Sequence, residues 1–404
     1  MRLRGIGIFL LVCLLLAPLA WIVLNGPKVA YAELLGGIVA MGCLFLRRQP
    51  LAWVRAAPAL MCGLVYAVCA FVEREPRDLF PYQAAVLLLF YGFPTGLCLR
   101  RLSQDGHDRA VAWALVCFSI AMSAVAAVIL QEAGAARIVS EAGVGAEMSR
   151  SNATNEMSAV YYLRYFSITN IIIGIIPFTV FGLSMFPILL TARALTIRLG
   201  ALCAIALAAY VNIQVATRTT LAACALSSVI IIPFVIRAVP FRRRLLFGVT
   251  FFAMIVAGIV YGTRNKDIFH FLANRFADIS EDSRLTIWRE SLRILANTPD
   301  GGGIRRLTSH VWAHNVLLDV GLANGWIALG AVLALFCVGL FFAWRSTREP
   351  GFSESSANMI ALGWLLAGML SLMVLPPLLP LLATVYIALA SFAPYRSTSA
   401  PGKP

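Results

Sequence analysis

Apolar residues run along this chain in blocks of about 20, the length a helix needs to cross a bilayer, and the blocks fill most of the sequence. Twelve spans are predicted, at about 5–24, 28–46, 51–72, 79–99, 110–130, 167–190, 199–216, 219–236, 245–262, 314–344, 357–375 and 376–394. The first follows Met1-Arg2-Leu3-Arg4 and has no polar region before its weak Ala17-Pro18-Leu19-Ala20 cleavage pattern, so it reads as a span and not as a signal peptide. The expected fold is an all-α polytopic membrane protein of about 12 transmembrane helices, one integral membrane domain over residues 1–404. No internal repeat is visible.

Two connections are long, 131–166 and 263–313. The first is rich in Ala, Gly and Ser and carries few structure signals. The second reads as two amphipathic helices ahead of the C-terminal spans, 314–394. In Asp267–Ile279 the residues Ile268, Phe269, Phe271, Leu272, Phe276 and Ile279 recur at helical spacing. A second helix opens near Ser280 or Ser283, with Glu281 and Asp282 in its first turn, and runs through Leu285, Trp288, Leu292 and Leu295. Thr298-Pro299-Asp300-Gly301-Gly302-Gly303 ends it. Two helices lying on a membrane interface account for this loop without any chemistry.

Composition removes the soluble alternatives. The chain is 60% hydrophobic and 13% charged, with mean hydropathy +0.83, against about 25% charged residues in a soluble domain. Its net charge of +14 does not point to nucleic acid, because no basic stripe with interleaved aromatics accompanies it. The charge belongs to one face of the membrane. Eighteen cations, from Arg2 and Arg4 through Arg100, Arg101, Arg193, Arg198, Arg242, Arg243, Arg244, Arg345 and Arg348 to Lys403, fall on one side of the predicted spans. Only four acids share that side (Asp105, Asp108, Glu349, Glu354), so it carries the whole +14 and the remaining fifteen cations and fifteen acids cancel. By the positive-inside rule this side is cytoplasmic and both termini are inside. All nine cysteines lie in apolar runs with no C-x-x-C pair, so neither a disulfide framework nor a zinc site is expected.

Chemistry has few places to reside. There is no nucleophile elbow, P-loop, H-E-x-x-H or Asp-x-Asp, so metal-dependent mechanisms lack ligands at familiar spacing and no metal or other cofactor is expected. What stands out is one histidine and a set of arginines on the outer side. His314 heads the tenth span in Ser309-His310-Val311-Trp312-Ala313-His314-Asn315. An imidazole at that depth suits the removal of a proton from a hydroxyl on a lipid-linked substrate; the plainer alternative is an interfacial histidine beside Trp312. His310, four residues earlier, shares a helical face with it if the helix starts early, which leaves a two-histidine metal site open as a lesser reading. Arg284 and Arg289 lie on the loop helix, Arg293 one turn further, and Arg305 and Arg306 after the glycines. Guanidinium forks grip phosphate oxygens, although a solvated helix face explains the same residues. Arg218 occupies the tight connection between spans seven and eight, an expensive place for a charge, with interfacial snorkelling as its alternative. Arg164, among Tyr161, Tyr162, Tyr165 and Phe166, sits in an aromatic belt. Gly301-Gly302-Gly303 offers an anion nest or simply a turn. Glu33 and Asp319 are acids near outer span ends that could orient an Arg or His, and neither belongs to a motif.

The run Ser283-Arg284-Leu285-Thr286-Ile287-Trp288, then Pro299 and the glycines, then His314-Asn315 opening a span that contains Gly325 and Gly330, resembles the O-antigen ligase and polymerase superfamily. The resemblance is sharp over 283–330, and twelve spans with a large late outer loop extend it over the chain; where the family turn ends in glycine, this sequence has Ile304. It implies a bacterial inner-membrane glycosyltransferase of the GT-C class with its active site facing the periplasm, in lipopolysaccharide biosynthesis. The donor would be a glycan on undecaprenyl diphosphate and the acceptor lipid A–core oligosaccharide, without nucleotide sugar or metal. The family's functional histidine falls on His314, and its two key arginines on Arg284 and Arg218. Arg289 and Arg164 are further pyrophosphate-binding candidates, with Asn315, Trp288 and His310 in support. A polymerase, a protein O-oligosaccharyltransferase and, from another class, a lipid-linked oligosaccharide flippase remain as alternatives. The absence of a repeat, and ionisable residues gathered on one face instead of at the bilayer midplane, argue against the transporter.

Overall fold

A segment in hydrocarbon must satisfy its own backbone N–H and C=O groups, so the apolar blocks fold as helices. The computed structural model describes residues 3–25, 30–46, 51–72, 79–133, 177–215, 218–236, 239–264, 284–303, 306–307, 313, 315–349, 351–374 and 379–393, and no strand occurs among them. The helices are α1 (Leu3–Asn25), α2 (Ala30–Leu46), α3 (Leu51–Val72), α4 (Leu79–Val86), α5 (Phe93–Leu102), α6 (Asp108–Ala133), α7 (Phe186–Thr191), α8 (Leu195–Val215), α9 (Arg218–Ile236), α10 (Phe241–Arg264), α11 (Arg284–Asn297), α12 (Val316–Thr347), α13 (Ser356–Leu372) and α14 (Leu379–Ala390). A π-helical segment, Leu87–Gly92, joins α4 to α5. Five stretches among the described residues are long and apolar enough to cross a membrane: Arg4–Trp21, Gln83–Val128, Leu195–Ile213, Phe241–Val260 and Val316–Thr347. Shorter apolar helices lie beside them. The chain is an all-α, multi-pass membrane protein.

The centre of the bundle is α14, whose side chains from Leu381 to Ala390 are all buried, as are those of the following residues to Ala393. It packs against α5, α12 and α13. Gly96 lets the α5 backbone approach α14 closely, since any side chain there would run into the Ile387 carbonyl. Phe118, Phe181 and Trp364 interlock edge to face where α6, the 177–183 helical turn and α13 meet. At the periphery, α10 turns Phe241, Leu245, Val249, Phe252 and Ile259 outward. It meets the bundle at α7, where Phe247 and Phe251 flank Phe186.

Polar side chains tie together one end of the bundle. Arg100, 3% exposed, donates to Glu349 at 2.8 Å and to Asn358 at 3.2 Å. Arg193 pairs with Glu354, and Arg243 donates to the Thr191 carbonyl at 3.5 Å. Asp108 gathers the start of α13: its carboxylate accepts from Ser103 Oγ (2.9 Å), Ser355 Oγ (2.5 Å) and the Ser356 and Ala357 amides (3.1 and 3.3 Å). These bonds place the α5–α6, α7–α8 and α12–α13 connections together, which brings several of the arginines counted on the cytoplasmic side to one end. Arg242, Arg243 and Arg244 fall in the first turn of α10, which begins four residues before the predicted span. Removing the Asp108 hub should unpair first-turn amides of α13, each uncompensated donor costing about 1–3 kcal/mol. Asp108→Ala is therefore expected to lower the thermal unfolding midpoint in detergent by several degrees, measured by tryptophan fluorescence. A midpoint equal to wild type would show that the hub is dispensable.

Candidate functional site

The opposite end carries the residues that the sequence singled out. Of the two loop helices expected, Asp267–Ile279 lies outside the described residues, as do residues 280–283; the second is a helix from Arg284 that stops at Asn297, before Thr298-Pro299. One of its faces packs, with Ile287, Ser291 and Leu295 buried and Trp288 half-buried, and its neighbour is α12. Leu285 and Leu292, expected on the apolar face, are 58% and 48% exposed; Ile287 and Ser291 take their place in the packing. Arg289 and Arg293 share the exposed side with the two leucines. Arg284 opens the helix one turn before Ile287 and Trp288, in the register of the packed face.

After α11 the chain closes back on α12. Gly301 and Gly302 take φ values of 101° and 73°. The Gly302 and Gly303 amides donate to the Ala323 and Leu322 carbonyls at 3.0 and 2.8 Å, and the Trp326 amide donates to Pro299 at 3.0 Å. These three bonds match a break inside α12, where Gly325 has φ 84° and ψ −177°. A broken helix frees backbone groups that a low-dielectric surrounding cannot satisfy, and here the glycine turn satisfies them. This corrects the anion-nest reading of Gly301-Gly302-Gly303: two of the three amides are already committed to α12.

The start of α12 is more tightly held still. Asn315 is its N-cap, in extended conformation (φ −151°, ψ 114°), and its side-chain oxygen accepts from the Leu317 and Leu318 amides. Its Nδ2 donates to the Met373 carbonyl at the end of α13, at 3.1 Å. The helix starts at Val316 and Ala313 before it is not helical, while His310 and His314 themselves lie outside the described residues. Asp319, 1% exposed, reaches back out of the helix. Its Oδ1 accepts from the Ala313 amide at 2.6 Å and its Oδ2 from the Asn315 amide at 3.2 Å. The Ala313 carbonyl in turn accepts from Trp288 Nε1 at 2.9 Å.

Trp288, Ala313, Asn315 and Asp319 thus form one hydrogen-bonded unit that joins the loop helix, the segment before α12, α12 itself and the end of α13. His314, His310 and Arg164 lie outside the described residues. Arg218 and Arg284 are described by backbone alone, each as the first residue of its helix. Arg218 opens α9 two residues after α8, and α8 starts beside Arg193 at the polar end, so Arg218 lies at the same end of the bundle as Met373 and Asn315. Sequence reasoning offered Asp319 only as an acid that could orient an Arg or His, and here it binds backbone amides instead. Its signal was there: an acid four residues after an Asn N-cap, in the first turn of a helix. Among the described residues no three His, Cys, Asp or Glu side chains gather as metal ligands.

No protein-family model matches the chain, and no curated protein matches it either. The resemblance to the O-antigen ligase and polymerase superfamily rests on the motif residues alone.

Proposed function

We propose that this chain is an O-antigen ligase: a twelve-span, inner-membrane glycosyltransferase of the GT-C class that transfers a glycan from undecaprenyl diphosphate to lipid A–core oligosaccharide on the periplasmic face. The hydrogen bond from Trp288 to Ala313 carries the reading, since it ties the helix that starts at Arg284 to the residue before His314. Two motifs 30 residues apart, each ambiguous alone, are thereby coupled. Arg284 and Arg218 would grip the donor pyrophosphate and stabilise the charge that develops as it leaves. His314 would take the proton from the acceptor hydroxyl as that oxygen attacks the anomeric carbon. One displacement of this kind inverts the anomeric configuration and needs no metal. Arg289, on the exposed side of α11, has a lesser part in this mechanism.

The deciding assay uses purified protein in detergent with EDTA, a defined undecaprenyl-diphosphate glycan and lipid A–core acceptor. The expected result is ligated product, with configuration inverted at the new linkage. Longer lipid-linked chains formed when acceptor is omitted would make the protein a polymerase instead. Movement of the donor across a vesicle membrane without any product would make it a flippase.

A further inference from the structure

We propose that the arginine-rich end of the bundle carries a site for an anionic phospholipid: Arg198 and Arg243 take its phosphate, and the groove between α8 and α10, floored by α7, takes its acyl chains. The site stands whether or not the chain is a glycosyltransferase.

Two helix starts bring the arginines together. Arg198 lies in the first turn of α8 and Arg243 in the first turn of α10. Each comes within two residues of a predicted span, 199–216 and 245–262, which is the depth of a lipid headgroup. Arg198 Nε donates to the Ala192 carbonyl at 2.6 Å, and Arg243 donates to the neighbouring Thr191 carbonyl at 3.5 Å. Placed on consecutive carbonyls after α7, the two like charges repel each other. Both side chains are half-buried, so this repulsion is screened less than on an open surface. Each guanidinium spends one of its five N–H donors on the protein. Glu354 is committed to Arg193, and among the described residues no acid pairs with Arg198, Arg242 or Arg243. Capping the end of α7 explains one arginine here, not two in mutual repulsion. A phosphate between them relieves the repulsion, and guanidinium forks match its oxygens.

The surface below the pair is apolar. Both α8 and α10 pack on α7, and neither packs extensively on the other. One turn deeper on the face of Arg198 is Leu202; one turn deeper on the face of Arg243 are Leu246, 47% exposed, and Phe247. Phe247 meets Phe186 of α7 edge to face, which closes the floor. The occupant must therefore carry negative charge at headgroup depth and apolar length beneath it. A phospholipid with an anionic headgroup does both, and basic residues at a span end attract such lipids. A second copy of this chain would bring the same cations to this end, and a soluble peptide would leave the apolar groove uncovered.

Native mass spectrometry of the full-length protein, titrated in detergent with phosphatidylglycerol or with phosphatidylcholine of the same chains, tests the site. Each arginine near a lipid anion contributes about fivefold in affinity. Wild type should hold phosphatidylglycerol about 10- to 30-fold more tightly than phosphatidylcholine, and Arg198→Gln, Arg243→Gln together should remove most of that preference. Arg109→Gln, Arg345→Gln removes the same charge from exposed positions on α6 and α12 and should stay within about twofold of wild type. Inorganic phosphate in excess should not displace the lipid, because it has no chains to bury. Equal affinity for the two lipids, or an equal loss in both double variants, would overturn the site. Displacement by phosphate would overturn it in favour of a soluble-anion site. Lipid-free dimers that the Arg198, Arg243 variant cannot form would overturn it in favour of a protein interface. If that variant does not fold, Arg243→Gln alone decides, since its bond to the backbone is the longer one: binding about fivefold weaker supports the site, and unchanged affinity overturns it.

Discussion

Gly325→Ala is expected to cost the protein the seal between its long loop and the membrane bundle. At φ 84° and ψ −177° Gly325 occupies a region that is essentially closed to residues with a Cβ, a strain of about 1–3 kcal/mol before any contact is counted. A methyl group at this position would also run into the Pro299 carbonyl and the Asp300 backbone. The break cannot simply be relieved. Straightening α12 would return the Leu322 and Ala323 carbonyls to the helix ladder, but it would strip Gly302, Gly303 and Pro299 of their partners and release the turn after α11. Either outcome lowers stability by several kcal/mol, counted as strain plus unpaired backbone groups. Gly330→Ala is the control, because nothing lies within 4 Å of a Cβ there and the helix is regular. Thermal unfolding in detergent should show Gly325→Ala well below wild type, or not folded, and Gly330→Ala close to it. Equal midpoints for the two variants would mean that the break has no structural weight.

The break also marks the limit of what the sequence disclosed. The helices were legible because twenty apolar residues in succession have few ways to satisfy their backbone in hydrocarbon, and the loop helix because its spacing and its Pro/Gly stop are local signals. Gly325 gave no such signal: glycine is common in membrane helices, and the Asn324-Gly325 pair sits inside an apolar run that reads as continuous. Its partners are more than twenty residues upstream, and no periodicity connects Pro299 to Trp326. Asp319 was named as a candidate, but its partners were hidden for the same reason, since its bonds to 313 and 315 run against the chain direction. Arg289 is a different case. Residues 284 and 289 lie five apart, which on a helix of 3.6 residues per turn separates them by about 140°, so the two start from different sides of α11. The exposure of Arg289 follows from its spacing from the buried Ile287, Ser291 and Leu295.

On the proposed mechanism, the second large effect is the loss of transfer in His314→Ala and Arg284→Ala. A positioned general base contributes typically 10²- to 10⁴-fold, and a preorganised cation on a leaving group about 10²- to 10³-fold. The two losses should differ in kind. With the base gone, donor binding persists, so His314→Ala is expected to lose kcat by at least 10²-fold with little change in donor KM. With Arg284 gone, part of the pyrophosphate grip goes too, so KM rises as kcat falls. Arg289→Ala, on the exposed side of α11, should stay within about threefold of wild type at moderate salt, where charges exposed to solvent are screened. The double variant His314→Ala, Arg284→Ala should lose less than the product of the single losses, because the two groups act on one transition state and the second loss falls on a reaction already deprived of the first. Strict multiplicativity would show two independent contributions, and it would argue that the Trp288–Ala313 bond joins the two helices without joining their chemistry.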